Sequence, residues 1–256
     1  MAIGSFAVHG TASLKTFITF LSENILPVPS LLLNGLTNMG KVRKFNPPFE
    51  ELLTGTFELA VARGLELIVY IGYLGEPGQA DIISQMLSAY SYRIKAIIVD
   101  PVCGDHDRAY VPVEVIEKWP ELIRLADMVF PNITEIKILT GHKADAIGET
   151  DTFVNEFRQL FPRTKLVLTS HKPDESSIGF NYYGTKAFNY SKELLPKNYG
   201  GTGDAFLALF ILKHFYLNQG ITEALKSAAD DTYFIIKNSI ENDSDDLILS
   251  ANQLSK

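Results

Sequence analysis

The sequence predicts an α/β fold, with a central, mostly parallel β-sheet and helices on both of its faces. Short apolar runs alternate with segments of helical spacing along nearly the whole chain. Polar residues and glycines follow directly after several of the apolar runs, as they do where parallel strands end at a binding site. A glycine-rich loop over 198–203 leads at once into a strongly apolar helix over 205–212. Since no linker divides the chain, we expect residues 1–256 to form a single domain.

The composition is that of a globular domain, with 46% hydrophobic and 21% charged residues. A net charge of −7 argues against a nucleic-acid partner, because nucleic-acid-binding surfaces are usually basic. The longest uninterrupted apolar run extends only from Ala205 to Leu212, whereas a membrane helix needs about 20 apolar residues. The lone Cys103 can form no internal disulfide, and the N-terminal residues lack the pattern of a signal peptide. We therefore expect a cytoplasmic protein without a membrane partner.

In the first half of the chain, apolar runs predict strands and apolar residues spaced by three or four predict helices. Pro47 and Pro48 are placed to open a helix, and Pro77 is placed to open the next one. The predicted strands span 2–8, 28–33, 65–71 and 96–99, and the predicted helices span 13–25, 47–63 and 77–90.

In the second half, the pattern changes once. After one or two helical turns, Pro131 and Asn132 open a further helix, and Gly141 suits its C-terminal end. Alternating apolar residues around Gly184 predict a β-hairpin over 176–190. The remaining predicted strands span 128–130 and 166–169, and the remaining helices span 132–139, 152–161, 203–218, 221–242 and 245–253.

Polar and glycine residues follow the ends of five predicted strands. Because parallel strands bring their carboxyl ends to one edge of a sheet, these residues are expected to assemble into a single site. The segments are Ser5–Gly10, Gly72–Gly75, Asp100–Asp105, Asn132–Glu135 and Thr169–Ser170.

The residue types at this edge fit phosphoryl transfer to an alcohol. The sequence has no P-loop, no dinucleotide-binding fingerprint and no nucleophile elbow. Phosphoryl transfer needs donors for the phosphoryl group, a metal to offset its charge and a carboxylate near the acceptor hydroxyl. The backbone of Gly201–Gly203 at a helix start can supply the donors, and Asp204 can supply the base. Carboxylates such as Asp100, Asp105 and Glu135 are ligands of the kind that Mg²⁺ uses, directly or through water.

In order and spacing, these motifs resemble those of the pyridoxal kinases, the vitamin B6 branch of the ribokinase-like superfamily. Gly201-Thr202-Gly203-Asp204 is similar to the signature of the superfamily, and Asp100-Pro-Val-x-Gly-Asp105 with the early Ser5 resembles the vitamin B6 branch. The other matching motifs are Gly72-Tyr73, Pro131-Asn132-x-x-Glu135 and Thr169-Ser170. The resemblance extends from Ser5 to about Leu212.

The resemblance implies ATP-dependent phosphorylation of the 5′-hydroxymethyl group of pyridoxal, pyridoxine or pyridoxamine, in a fold without a separate lid domain. It implies that Asp204 is the general base and that the N–H groups of Gly201, Thr202 and Gly203 form the anion hole. The other implied roles are Mg²⁺ and phosphate contacts for Asp100, Asp105 and Glu135, nucleotide contacts for Asn132 and Thr169, and substrate contacts for Ser5 and Tyr73. Such kinases are typically homodimers, and some also use K⁺.

Several of these residues also have a purely structural interpretation. Asn132 and Glu135 have the spacing of a helix capping box, and Asp100 before a proline is typical of a turn. Either Thr202 or Asp204 could be an ordinary helix cap. The remaining structural alternatives are a hydrogen-bonded core hydroxyl for Ser5, plain packing for Tyr73 and an apolar filler for Cys103.

One departure from the pattern leaves the acceptor open. The second strand of such kinases carries a threonine that meets the substrate, and Leu33 or Asn34 stands at that position here. A hydroxymethylpyrimidine kinase of thiamine biosynthesis is therefore an alternative. A non-catalytic binder of nucleotide or vitamin is a second alternative, although it would gain nothing from Asp204 beside a phosphate. The loop over 34–45 and the segment before Gly200 are candidates to cover the substrate.

Overall fold

A computed structural model describes residues 1–36 and 40–249 of the chain. The strands are β1 (Ala2–His9), β2 (Pro27–Gly35), β3 (Lys44–Phe45), β4 (Leu67–Ile71), β5 (Ile94–Val99), β6 (Gly104–Asp105), β7 (Arg108–Ala109), β8 (Met128–Val129), β9 (Lys165–His171), β10 (Ser177–Tyr183) and β11 (Phe188–Glu193). The helices are α1 (Leu14–Leu21), α2 (Phe49–Ala62), α3 (Gly78–Ala89), α4 (Val113–Ile116), α5 (Trp119–Leu125), α6 (Ile133–Leu139), α7 (Thr150–Leu160), α8 (Thr202–Ile211) and α9 (Ile221–Glu241).

A nine-stranded sheet with the order β11-β10-β9-β8-β5-β4-β1-β2-β3 forms the centre of the fold. The strands from β9 through β2 in this order pair in parallel, whereas β3, β10 and β11 pair antiparallel at the two edges. The chain moves from β1 to β2 on one side and then returns to β4 on the other side of β1. In open α/β sheets, ligands bind beyond the carboxyl ends of the strands at such a reversal. The predicted fold class is confirmed, and the reversal places a site near the ends of β1 and β4.

Two layers of helices cover the sheet. Side chains of α1, α8 and α9 form one apolar cluster, and those of α2 to α7 form the other on the opposite face. Strand β4 shows the alternation, because Val69 and Ile71 belong to one cluster and Tyr70 belongs to the other. Strands that are buried on both faces appear in the sequence as continuous apolar runs. This is why these strands could be predicted from the sequence.

The predicted elements differ from the structure mainly at their ends. The helix predicted to continue to residue 25 ends at Leu21, because Ser22 has a φ of 51° and breaks it. The helix predicted over 203–218 ends at Ile211 and continues only as a π-helical turn over Leu212–Tyr216. The helix predicted over 245–253 is wrong for 245–249, and the rest of it lies outside the described residues.

Some elements and positions could not be predicted or compared. The two-residue strands β3, β6 and β7 escaped prediction because so short a segment shows no periodicity. Part of the candidate covering loop over 34–45, residues 37–39, lies outside the described residues. Among residues 1–36 and 40–249, no helix combines the length and the apolar content that crossing a bilayer would require.

A buried ion pair joins the end of α8 to α9. The Nζ atom of Lys213, in the π-helical turn, lies 2.8 Å from Oδ2 of Asp231, and the two side chains are only 2% and 6% exposed. Charges removed from water are tolerated when they are paired, and removing one member of such a pair is costly. The pair therefore fixes how the end of α8 packs against α9.

We expect Lys213→Met to lower the free energy of unfolding by about 3–5 kcal/mol, because it takes the cation away from a buried carboxylate. Urea denaturation followed by circular dichroism measures the change. Lys237→Met is the matched control: this exposed α9 lysine lies 4.0 Å from Glu241, so its loss should change stability by less than about 0.5 kcal/mol. Equal, small effects of the two variants would contradict the structural role of the buried pair.

Candidate active site

The glycine-rich loop is held against the start of α1. Gly201 occupies the N-cap position of α8 with a φ of 83°. A Cβ atom on Gly201 would stand 2.4 Å from the carbonyl oxygen of Thr11, so no larger residue fits. By contrast, a Cβ atom on Gly203 would meet nothing within 4 Å. The first N–H groups of a helix lack intrahelical acceptors and carry a partial positive charge. The start of α8 therefore presents donors to open space, where an anion can approach.

Neither Thr202 nor Asp204 caps α8. The Thr202 hydroxyl donates to the carbonyl oxygen of Tyr199 at 2.9 Å. Oδ2 of Asp204 accepts the backbone N–H of Ser13 at 2.8 Å, across 191 positions of the chain. Ser13 is itself the N-cap residue of α1. The structural alternative of an ordinary cap is therefore wrong for both residues, and the Asp204 carboxylate links the N-terminal ends of α1 and α8.

The pKa of the Asp204 carboxyl group lies closer to neutral pH than that of an ordinary aspartate. Burial raises its pKa to about 6, and the hydrogen bond from the Ser13 N–H opposes part of that rise. A carboxylate with such a pKa is still mostly ionised at pH 7, yet it is more basic than an exposed aspartate. This combination is the one expected of a general base.

Asp100 lies directly after β5 and shares its surroundings with Asp204. Burial and, next, the negative charge of Asp204 raise the pKa of Asp100, and a hydrogen bond from Tyr70 lowers it, with a net result of about 8. The Tyr70 hydroxyl is 3.3 Å from Oδ2 of Asp100. Two neighbouring carboxyl groups disfavour each other's ionisation because their negative charges repel. A cation bound beside them would offset this repulsion.

The Glu135 side chain links the segments that follow β5 and β8. Its Oε2 atom accepts the N–H of Asn132 at 2.9 Å, and its Oε1 atom accepts the N–H of Cys103 at 3.2 Å. The Asn132 side chain accepts from the Glu135 N–H at 3.0 Å, which completes a capping box, and donates to the Gly104 carbonyl at 2.9 Å. Burial, followed by the charge of Asp100, holds the pKa of Glu135 well above its usual range. The predicted capping box is confirmed.

The three carboxylates predicted for the metal do not form a cage. Asp105 is exposed, and its Oδ1 atom accepts the N–H of His106 at 2.8 Å. Both oxygens of Glu135 already accept backbone N–H groups. In the described part of the chain, no three His, Cys, Asp or Glu side chains converge as direct metal coordination would require. A cation here would therefore meet Asp100 first, and phosphate oxygens and water would complete its shell.

On the side predicted to contact the nucleotide, β9 runs next to the start of α6. Thr169 donates its N–H to the carbonyl oxygen of Pro131 at 2.9 Å and forms an isolated parallel bridge with Asn132. The structure therefore brings the predicted residues Asn132 and Thr169 side by side, next to the loop that carries Asp100 and Asp105.

At the opposite side, the ends of β1 and β2 form an apolar wall. Ser5 is half-buried and pairs with Leu31 after an irregularity in the strand. Leu33 is buried in a small cluster with Ala7 and Leu31, against which Tyr73 packs.

The Asn34 amide group is already used within the protein, since its Oδ1 atom accepts the Arg43 N–H at 2.6 Å and its Nδ2 atom donates to the Lys41 carbonyl at 3.4 Å. Of the two positions that could replace a threonine, Leu33 is the one that belongs to the apolar cluster against which Tyr73 packs.

Two tyrosines of this region escaped the sequence analysis. Tyr70 lies within an apolar strand, and Tyr110 follows the β6–β7 hairpin. The Tyr110 N–H donates to the Cys103 carbonyl at 3.1 Å. Partial desolvation of its hydroxyl, together with the charges of Glu135 and Asp100, raises the pKa of Tyr110, although the residue as a whole is 56% exposed. No periodicity or spacing in the sequence pairs either tyrosine with these carboxylates, so only the folded chain reveals them.

Comparisons with known proteins relate the chain to a family of kinases. Residues 18–247 match the family model described as phosphomethylpyrimidine kinase. A protein of Schizosaccharomyces pombe, provisionally named a pyridoxal kinase, is 30% identical over 254 residues, which cover 94% of this chain and 80% of that protein. The hydroxymethylpyrimidine/phosphomethylpyrimidine kinase of Aquifex aeolicus is 23% identical, over 89% of this chain and 88% of its own length.

Solved structures give the same fold. The pyridoxal kinase of Leishmania donovani in complex with ADP and pyridoxine superposes with a TM-score of 0.79 and 22% identity, over 99% of this chain and 92% of that one. The chain therefore belongs to the phosphomethylpyrimidine kinase family, which includes pyridoxal kinases and has the ribokinase-like fold. It is a kinase of this family.

We expect Gly201→Ala to abolish most of the kinase turnover and to lower the free energy of unfolding by about 1–3 kcal/mol. The added methyl group would collide with the Thr11 carbonyl and force the loop away from α1. Gly200→Ala is the neighbouring control, since a Cβ atom there meets nothing within 4 Å. ATP consumption and thermal unfolding of both variants provide the test. If both substitutions were equally tolerated, the close approach of the loop to Thr11 would be wrong.

Proposed function

We propose that this member of the phosphomethylpyrimidine kinase family transfers the γ-phosphoryl group of ATP to the 5′-hydroxymethyl group of pyridoxal, pyridoxine or pyridoxamine, as a single catalytic domain. The observation that carries the proposal is the Asp204 carboxylate, which the Ser13 N–H holds beside the open N-terminus of α8. A pure binding protein would gain nothing from a negative charge next to a phosphate, so the non-catalytic alternative is disfavoured. The relationship to pyridoxal kinases supports the choice of acceptor.

In the proposed reaction, Asp204 accepts the proton of the acceptor hydroxyl as that oxygen attacks phosphorus. The N–H groups of Gly201, Thr202 and Gly203 stabilise the charge on the transferred phosphoryl group, because they are fixed at a helix N-terminus and need no reorganisation. The Thr202–Tyr199 and Ser13–Asp204 hydrogen bonds keep donors and base in place.

The residues at the ends of β5 and β8 fit a magnesium nucleotide. Asp100 would hold Mg²⁺ at the phosphates, where the neighbouring charge of Asp204 makes a cation favourable. Glu135 and Asp105 would act around that ion through water and the loop that they stabilise, and Asn132 and Thr169 would face the nucleotide. When bound, Mg²⁺ offsets the negative charge of the phosphates. A K⁺ requirement and a homodimer remain predictions from the family resemblance, and a cytoplasmic location remains a prediction from the sequence pattern.

The acceptor would lie between Ser5, Tyr73 and the apolar wall of Leu31 and Leu33. Ser5 offers a hydroxyl for a ring heteroatom, and the Tyr73 ring offers a flat surface. Since Leu33 cannot donate a hydrogen bond, recognition on this wall depends on shape. The same feature keeps hydroxymethylpyrimidine as the alternative acceptor, which the family description and the Aquifex aeolicus relative also favour.

A side-by-side assay of the two acceptors tests the proposal. We expect kcat/KM for pyridoxal to exceed that for hydroxymethylpyrimidine by at least about tenfold, which corresponds to a modest difference in contacts within one pocket. Formation of each phosphorylated product is followed by mass spectrometry, with the acceptor omitted as the control. Preference for the pyrimidine would overturn the proposed acceptor but not the kinase chemistry. Phosphorylation of neither would overturn both.

We expect Asp204→Asn to lower kcat by about 10²- to 10⁴-fold, because the general base is lost while an oxygen remains to accept the Ser13 N–H. Binding of ADP, measured by calorimetry, should change little. Asp230→Asn provides a control at an acidic residue that accepts a hydrogen bond from Tyr190.

The pH profile gives a second readout of the same residue. Since the pKa of Asp204 is raised to about 6, the carboxyl is protonated and inactive as a base below that pH. At saturating Mg²⁺ and ATP, where a bound cation would keep Asp100 ionised, we expect kcat of the unmodified enzyme to rise through about pH 6 and level off above it, and this limb to disappear in Asp204→Asn. Near-normal turnover of Asp204→Asn would show that another group is the base.

A further inference from the structure

A single hydroxyl group lies under the Asp100 carboxylate, inside a strand that is otherwise apolar. Tyr70 is the fourth residue of β4 and only 2% exposed. Its Oη atom is 3.3 Å from Oδ2 of Asp100. The phenol donates this hydrogen bond, and in the ionised form that would bind a cation the Asp100 carboxylate can only accept it. A tyrosine at this depth reaches the site from below, on the helix α1 side of the sheet.

The position of this hydroxyl is determined from two directions. The Tyr70 ring is stacked on Phe17 of α1, with ring centres 4.2 Å apart and an interplanar angle of 25°. Above it, Gly72 leaves the space that the hydroxyl needs, since a Cβ atom there would lie 2.4 Å from Oη of Tyr70. The hydroxyl therefore cannot swing away from Asp100 without disturbing the packing of α1 on the sheet.

The hydrogen bond from Tyr70 fixes the orientation of the Asp100 carboxylate more than it contributes binding energy. A distance of 3.3 Å is long for an O–H···O contact. The end of an aspartate side chain rotates over a broad range unless a partner fixes its plane. With Oδ2 engaged by Tyr70, the Oδ1 atom of Asp100 stays available for a ligand above the strand ends. The neighbouring acidic groups Asp204 and Glu135 also face this region, so the direction of each carboxylate matters.

We propose that Tyr70 is a positioning residue for phosphoryl transfer: its hydroxyl fixes the Asp100 carboxylate in the orientation that meets the magnesium nucleotide. This inference rests on the proposed function in one respect, namely that Asp100 serves the Mg²⁺ and phosphate end of the site. Tyr70 itself touches neither nucleotide nor acceptor, and it acts only through Asp100.

Tyr70→Phe removes the hydroxyl and keeps the ring on Phe17. We expect kcat to fall about five- to tenfold, the loss expected for one hydrogen bond. The Mg²⁺ concentration for half-maximal activity should rise by a similar factor, while the KM for the acceptor stays the same. Tyr190→Phe is the matched control, because its hydroxyl donates to Asp230 at 2.8 Å away from this site. Thermal unfolding of both variants verifies that they remain folded.

A double-mutant cycle separates positioning from plain packing. If Tyr70 acts through Asp100, Tyr70→Phe should cause no further loss in an Asp100→Asn background. An equal loss in both backgrounds, or a loss no greater than that of Tyr190→Phe, would overturn the proposal.

Calorimetry with ADP makes the result independent of the acceptor. We expect Tyr70→Phe to weaken binding of ADP about fivefold in the presence of Mg²⁺ and to leave it unchanged in EDTA. Should neither pyridoxal nor hydroxymethylpyrimidine be phosphorylated while this difference persists, the proposed acceptor fails and the role of Tyr70 stands. ADP binding that is identical to the unmodified protein under both conditions overturns the role of Tyr70, whichever acceptor is used.

Discussion

The hydrogen bond from the Ser13 N–H to the Asp204 carboxylate is the contact on which the site depends. It joins the starts of two helices that are separated by most of the chain, and both helix ends favour a nearby negative charge. The close approach of Gly201 to Thr11 accompanies it, because the same loop must reach the same connection after β1. The N–H donors and the base of the proposed reaction thereby come to lie at one edge of the sheet.

This arrangement brings several carboxyl groups together at the place where a kinase must also bind negatively charged phosphate groups. Burial raises the pKa of Asp204, Asp100 and Glu135. Backbone N–H groups offset part of that cost at Asp204 and Glu135, and the Tyr70 hydroxyl does so at Asp100. Perturbed carboxyl groups of this kind are typical of catalytic sites. A magnesium nucleotide would supply the cation that the cluster favours.

Rigidity at the functional end of α8 comes from the rest of that helix. Residues 205–211 are all buried, so α8 is packed on every side beyond its first turn, in which Gly203 is exposed. The Lys213–Asp231 pair then fixes its far end to α9. Because α8 is held at both ends, the groups at its first turn keep their geometry and need not be reordered at each turnover.

The sequence by itself determined the layers of the fold and the edge at which the site lies. Apolar runs and helical spacing are local patterns, and glycines and carboxylates directly after strands mark one edge because parallel strands share a direction. The sequence also indicated the capping box of Asn132 and Glu135, since its partners lie three residues apart. The family resemblance followed from the same local motifs.

Only the tertiary structure decided which residues meet. The Ser13–Asp204 contact spans 191 positions, and Tyr70 reaches Asp100 from a neighbouring strand. It also showed that the Asn34 amide is hydrogen-bonded within the protein, while Leu33 belongs to the apolar cluster against which Tyr73 packs. Such contacts depend on which strands are neighbours and on the space between layers, and neither has a period along the chain. The candidate site residues could thus be recognised from local motifs, whereas the contacts between them were set by packing.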